Sequence, residues 1–277
     1  MDTDTVVEVH KEAYGKSSEV NFAPLFNGGA AVLLGNSESK VHVSFHGPFH
    51  DRYQARQDCA SIAVTITHDA GHPQAGASGR LTKAIQKSHL RHEDTLLGER
   101  IEHVLESVVQ HSAYPRCTLS FCVHVLQKGE NLIATALCAC MMCLLSAGVR
   151  CSTTLVPHTV ALVRRRVDEI EHLDVSIGLQ EGQMPRLFAD PSVVQSTRAT
   201  IVHDISGRQL LTLIFESNTV SHEHSKRLGP SESNSKDDSE TLAIMERVAR
   251  GEITGFVHWL KAIFSDRIVL SPYSCVP

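Results

Sequence analysis

Stretches in which every second residue is apolar recur along this chain, the period of a strand with one face buried. Residues 40–45, Lys-Val-His-Val-Ser-Phe, show it plainly. The apolar run 30–34 precedes them across Gly35 and Asn36, so the two predict a hairpin with a polar turn, ended by Gly47-Pro48. Residues 61–67 predict another strand, as do 118–126, 153–163 and 199–215, the last folding back at Ser206-Gly207. A helical period runs between them. Leu97, Ile101, Val104, Leu105 and Val108 fall on one side of a helix over 95–111. Residues 132–147 predict a second helix, capped by Asn131 and stopped by Gly148. A third, over 241–264, keeps Leu242, Met245, Val248, Ile253, Phe256, Val257, Leu260 and Phe264 in register, with a break near Gly251. The class this implies is mixed α/β with antiparallel hairpins.

Two stretches lack either period. Residues 68–92 are rich in Gly, His and Lys and are expected to form a mobile loop. Residues 217–239 carry few apolar side chains and read as a disordered insertion. No short repeat is present.

Composition narrows the class further. A chain of 277 residues, 42% hydrophobic and 21% charged, has the balance of a soluble globular protein with a sizeable core. Its net charge of -5 offers nucleic acid no global attraction, so any such contact must come from a local patch. The 17 histidines stand mostly alone in polar surroundings and read as solvated. The first residues are acidic without a signal-like apolar run, and no segment reaches the roughly 18 to 20 apolar residues a membrane span needs. The expectation is an intracellular chain with no membrane contact, whose eight cysteines are buried thiols.

Several chemical readings fail on spacing. Cys138, Cys140 and Cys143 sit about 200° and 300° apart around a helix axis, unlike the paired C-x-x-C of a zinc ribbon. They read as small side chains of a packed helix. No G-x-S-x-G, Walker loop or G-x-G-x-x-G occurs, and Gly28, Gly29 and Gly35 read as turn glycines. His222-Glu223-His224 has metal-ligand chemistry but lies in the polar insertion, where such tracts are solvated. No metal or cofactor is expected. Arg52 and Arg56, with Tyr53 between them, follow a strand and would suit phosphate contact with base stacking; they read equally as a solvated loop. Arg164-Arg165-Arg166 is a second basic cluster, with Asp168, Glu169 and Glu171 close enough to neutralise it.

Three segments resemble a known family. Residues 27–48, "NGGAAVLLGNSESKVHVSFHGP", are similar to the opening hairpin of RNase PH-like proteins. Residues 114–149, "YPRCTLSFCVHVLQKGENLIATALCACMMCLLSAGV", share their Pro-Arg entry, the strand ending Val-Leu-Gln, a short turn, a small-residue helix and a closing Ala-Gly. Residues 189–204, "ADPSVVQSTRATIVHD", resemble the Asp-Pro-Ser/Thr segment of one eukaryotic RNA exosome ring subunit. The resemblance runs over about residues 20 to 215 and the final helix, and is absent from 217–239.

The resemblance implies an RNase PH fold, of the ribosomal-protein S5 domain 2-like type, with mixed sheets packed by helices. It implies a domain over 21–216 completed by a C-terminal helix over 240–268, with an N-terminal extension over 1–20 and a tail over 269–277. Active relatives shorten RNA from its 3′ end with phosphate. They hold that phosphate by an arginine in a Gly-Gly-Thr-Arg turn and use two aspartates six residues apart. Here the turn reads Lys128-Gly129-Glu130-Asn131, with no arginine, and Glu130 would repel phosphate. Asp190 matches the second aspartate, but Met184 stands where the first belongs and can neither accept a proton nor hold a divalent ion.

The expectation is therefore a non-catalytic subunit of the exosome ring, with Asp190 a vestige. Its partners would be other RNase PH-like ring subunits, cap subunits and single-stranded RNA, in nucleus, nucleolus and cytoplasm. Arg52 and Arg56 are the leading RNA contacts, with Arg80, Lys83 and Lys87 behind them in the mobile loop. Two alternatives stay open: an active phosphorolytic exoribonuclease, and a free-standing dimeric nucleic-acid-binding protein or nuclease.

Overall fold

The computed structural model describes residues 6–11, 19–25, 29–35, 39–50, 58–68, 80–129, 131–167, 170–177, 193–219 and 234–270. The chain divides into two compact units, residues 18–155 and residues 1–17 with 156–277. Each carries a five-stranded sheet and helices, the mixed α/β class expected.

In the first unit, β2 (Glu19–Pro24), β3 (Ala30–Gly35) and β4 (Lys40–His50) form an antiparallel meander. The chain continues through β5 (Ser61–His68), α1 (Arg80–Val108) and β6 (Cys117–Gln127). β6 lies between β4 and β5 and runs parallel to β5, so β5–α1–β6 is a βαβ unit. The pleat explains the packing. Val41, Val43 and Phe45 on β4 and Phe121, Val123 and Val125 on β6 are buried, while the intervening His42, Ser44, Ser120, Cys122 and His124 are half-buried. Phe45 and Phe121 meet with ring centroids 4.9 Å apart.

α1 packs on β5, and α2 (Leu132–Ser146) on β3 and β4. α2 is apolar on all sides, and every residue from Leu132 to Leu144 is buried. Its end fits the expectation for Gly148, which takes φ +69° at the residue after the cap. There its N–H bonds the Leu145 carbonyl and the Val149 N–H bonds that of Leu144, closing two free carbonyls in a Schellman motif.

The second unit contains β1 (Val6–Lys11), β7 (Leu155–Val167), β8 (Ile170–Ile177), β9 (Val193–Asp204) and β10 (Gln209–Thr219), in the order β1-β8-β7-β9-β10. α3 (Asn234–Gly251) and α4 (Ile253–Leu270) follow, breaking at the glycine expected. Its core joins Val160, Leu162, Leu173, Val175, Ala199 and Ile201 to Met245 and Ala249 of α3. The β9–β10 turn is held by Asp204, whose Oδ1 accepts from the N–H groups of Ser206 and Arg208, both at 2.9 Å.

Several expectations are corrected. The stretch 1–20, read as an extension, holds β1, which pairs in parallel with β8 far along the chain, and the start of β2. β8 went unread because its polar residues mask the alternation. Gly47-Pro48 does not end β4: a bulge between His46 and Phe49 carries the strand on to His50. Helix α1 begins at Arg80, not near Thr95, since residues 80–94 contain neither Gly nor Pro and are rich in helix formers. The insertion read over 217–239 is trimmed at both ends by β10 and α3. The span 21–216 contributes strands to both units.

Candidate functional site

The joint between β6 and α2 has the geometry of an anion site without its means. A helix N-terminus presents free N–H groups and a positive dipole end. Here Asn131, Leu132 and Ile133 are only 5%, 7% and 6% exposed. Asn131 occupies the cap position, but its side chain makes no capping bond, correcting that expectation. Its carbonyl accepts from both the N–H and the hydroxyl of Thr135, each at 3.0 Å, while its buried Oδ1 has no hydrogen-bond partner among the described residues. Lys128 turns to Glu93 on α1, Nζ to Oε2 at 3.1 Å. Glu130 lies outside the described residues. A closed helix end whose neighbouring cation is already paired gives phosphate little to bind.

The helices leave one sheet face of the first unit polar. His42 on β4 stands opposite His124 on β6, which stands beside Thr67 on β5. Thr67 Oγ1 and His124 Nδ1 lie 2.9 Å apart, and His68 pairs with Asp94 at 2.5 Å. Among the described residues no three His, Cys, Asp or Glu side chains converge as a metal site.

At one end of this sheet β4 finishes against the start of β6, pairing Phe49 with Thr118 and His50 with Cys117. Arg116, just before β6, is exposed and takes φ +59°, a left-handed conformation unusual for a side-chain-bearing residue. Phe49 is 43% exposed. Gly47 has to be glycine: its φ is +133°, and a Cβ there would stand 2.8 Å from the Thr118 carbonyl oxygen.

The second unit buries polar groups of a different kind. His158 on β7 is enclosed, edge-on to Phe256 with centroids 6.1 Å apart, and burial with the nearby His203 pushes it down to about 3. Burial also lowers His203, which Glu246 and Asp204 partly oppose and Arg250 reinforces. Asp204 is pushed up by burial, but the Ser206 and Arg208 donors outweigh that and hold it below its usual range.

Of the residues singled out in the sequence, Arg80, Lys83 and Lys87 lie on α1, correcting their placement in a mobile loop. Their spacing puts their backbone positions on one side of that helix. Arg52, Arg56, Met184, Asp190 and the His222-Glu223-His224 tract lie outside the described residues. Arg164, Arg165 and Arg166 lie within β7, and Arg166 is the register partner of Glu171 on β8. Sequence reasoning passed over Phe49 because Gly47-Pro48 reads as a strand end. It passed over His158 and His203 because a lone histidine in a strand carries no sign of burial.

Residues 17–150 match the family model for RNase PH, described as "3′ exoribonuclease family, domain 1". These residues belong to the RNase PH family. The matched stretch coincides closely with the first unit, so the RNase PH domain comprises β2 to β6 with α1 and α2. No curated protein matches the chain significantly in sequence. Among solved structures it is similar to the crystal structure of rice (Oryza sativa) Rrp46, at 16% identity and a TM-score of 0.46, over 86% of this chain and 92% of that one. The β6–α2 joint lies inside the matched residues.

Proposed function

We propose that the chain is a non-catalytic subunit of the RNA exosome ring that supports 3′-to-5′ RNA processing and degradation, rRNA processing included. The observation that carries this is the β6–α2 joint. An RNase PH domain that worked by phosphorolysis would need a cation there, and this one has a lysine paired to Glu93 and a buried asparagine. Met184 in place of a carboxylate removes the second requirement. The role left is structural: to complete a ring with other RNase PH-like subunits and its cap subunits, and to line part of an RNA path with Arg52 and Arg56. Arg80, Lys83 and Lys87 stand behind them, and the site of action is the nucleus, nucleolus and cytoplasm. The resemblance of residues 189–204 points, within that ring, to the subunit called exosome component five.

The test is mass analysis of the complex purified from its own cells. Co-purification with other RNase PH-like chains at ring stoichiometry is the expected result. Elution at the size of a dimer of this chain alone would overturn it in favour of a free-standing nucleic-acid-binding protein or nuclease.

A second reading, an active exoribonuclease, is favoured by the family match itself. It requires phosphate-dependent release of nucleoside diphosphates from single-stranded RNA by the chain. Release abolished by Asp190→Asn would replace the structural role with a catalytic one.

A further inference from the structure

At the end of the RNase PH domain's sheet where β4 meets β6, an exposed aromatic ring and exposed arginines share one edge. Four large hydrophobic side chains among the described residues are notably exposed, and Phe49 is the only aromatic one. It is not a stray core residue, because the bulge after His46 takes β4 out of the alternation that buries Val41, Val43 and Phe45. Pro48 and His50 beside it and His46 before it are exposed as well.

The neighbouring charge is positive. Arg116 stands next to Cys117, the register partner of His50, and makes no hydrogen bond or ion pair among the described residues. Arg150, also exposed and without an ion pair among them, is tied to the same region by its N–H bond to the Tyr114 hydroxyl at 2.8 Å. Asp58, before β5, is an exposed acidic residue close to the start of that strand. In a chain of net charge -5, two exposed arginines here are a local exception.

We propose that Phe49 and Arg116 form a contact for single-stranded RNA, with a base stacked on the Phe49 ring and a phosphate held by Arg116. The assignment rests on the RNA-contacting role proposed above and adds residues that the role does not require. A flexible strand can offer both a flat base and an anion within one nucleotide, which an exposed ring flanked by arginines complements.

The test uses the full chain and a labelled single-stranded oligouridylate, with binding measured across a salt series. Phe49→Ala is expected to weaken binding about five- to a hundred-fold, the range for losing one stacked base, without changing the salt dependence. Phe49→Tyr, which keeps a ring, should restore it. Arg116→Asn, chosen because asparagine tolerates the left-handed backbone, should reduce the slope of log affinity against log salt by about 0.7, one phosphate contact on a single strand. If Phe49→Ala and Arg116→Asn bind like the parent while an Arg52→Ala/Arg56→Ala variant loses affinity, the inference fails and the RNA-contacting role stands. If all of them bind like the parent, both fall. If Phe49→Ala instead prevents co-purification with other ring chains while RNA affinity is unchanged, this edge is a protein interface and the inference is overturned.

Discussion

The two units bury different chemistry. The RNase PH domain is closed by aliphatic side chains, two phenylalanines and the thiols of α2, and its buried polar residues, Ser39, Thr118, Asn131 and Thr135, are all neutral. The second unit encloses His158, His203 and Asp204, together with Thr159, Thr197, Thr200 and Thr241. The second unit has its stability tied to the protonation of His158 and His203. Burial is costly for a charge and harmless to a thiol, so the same degree of enclosure makes one core inert and the other pH-sensitive.

The largest effect that would sharpen this contrast comes from truncation in the first core. Phe121→Ala removes a fully buried ring that meets Phe45 and should cost ~3–5 kcal/mol. Denaturant melts check it, and a loss below about 1 kcal/mol would mean the core collapses freely around the gap.

Acid is the next probe. A histidine held down to about 3 in the folded state and titrating near 6.5 when unfolded is neutral in the native protein. Between those values the unfolded chain binds the proton that the folded chain refuses, so stability is full above about pH 6.5 and declines as pH falls. For His158 the loss should reach ~2 kcal/mol at pH 5, with His203 acting in the same direction. Hydrogen exchange at pH 5 should show β7 and β9 opening before α2. Uniform opening of both units would break the comparison.

A smaller, kinetic contrast lies in the thiols. Burial pushes Cys138 up to about 12 and raises Cys140 well above its usual value, so neither offers a thiolate near neutrality. Native alkylation followed by peptide mass analysis should label the half-buried Cys59 and Cys117 and spare Cys138 and Cys140. Rapid labelling of α2 would show that the first core opens as readily as the second.

The smallest effect expected is at Lys128. Its pair with Glu93 joins two side chains more than half exposed, and Lys128→Ala should change stability by no more than ~0.5 kcal/mol. A larger loss would make the pair at the joint a structural keystone instead of an exposed surface contact.

Much of the first unit was legible residue by residue. The alternation over 40–45 and 118–126 and the helix over 132–147 ending at Gly148 match β4, β6 and α2 closely. Their patterns are local, and each element buries the side chains that define its period. The second unit was legible only in part. β9 and β10 follow the expected hairpin, but β1 was hidden in six residues near the start whose partner lies more than 160 residues away. At the candidate site, the absence of an arginine from the joint was readable, whereas the pairing of Lys128 and the burial of Asn131 were not. The placement of Arg80, Lys83 and Lys87 was misread because Gly and His just upstream made a helix-forming stretch look like loop.

What the sequence determined by itself is the mixed α/β class, the central apolar helix and the absence of an arginine from the turn before it, because periodicity and residue type act over a few neighbours. The tertiary structure decided which histidines are enclosed, that β1 joins β8, and that Phe49 stands in solvent opposite the start of β6. Burial, parallel pairing and the meeting of two strand ends depend on segments distant in the chain, and no local pattern records them.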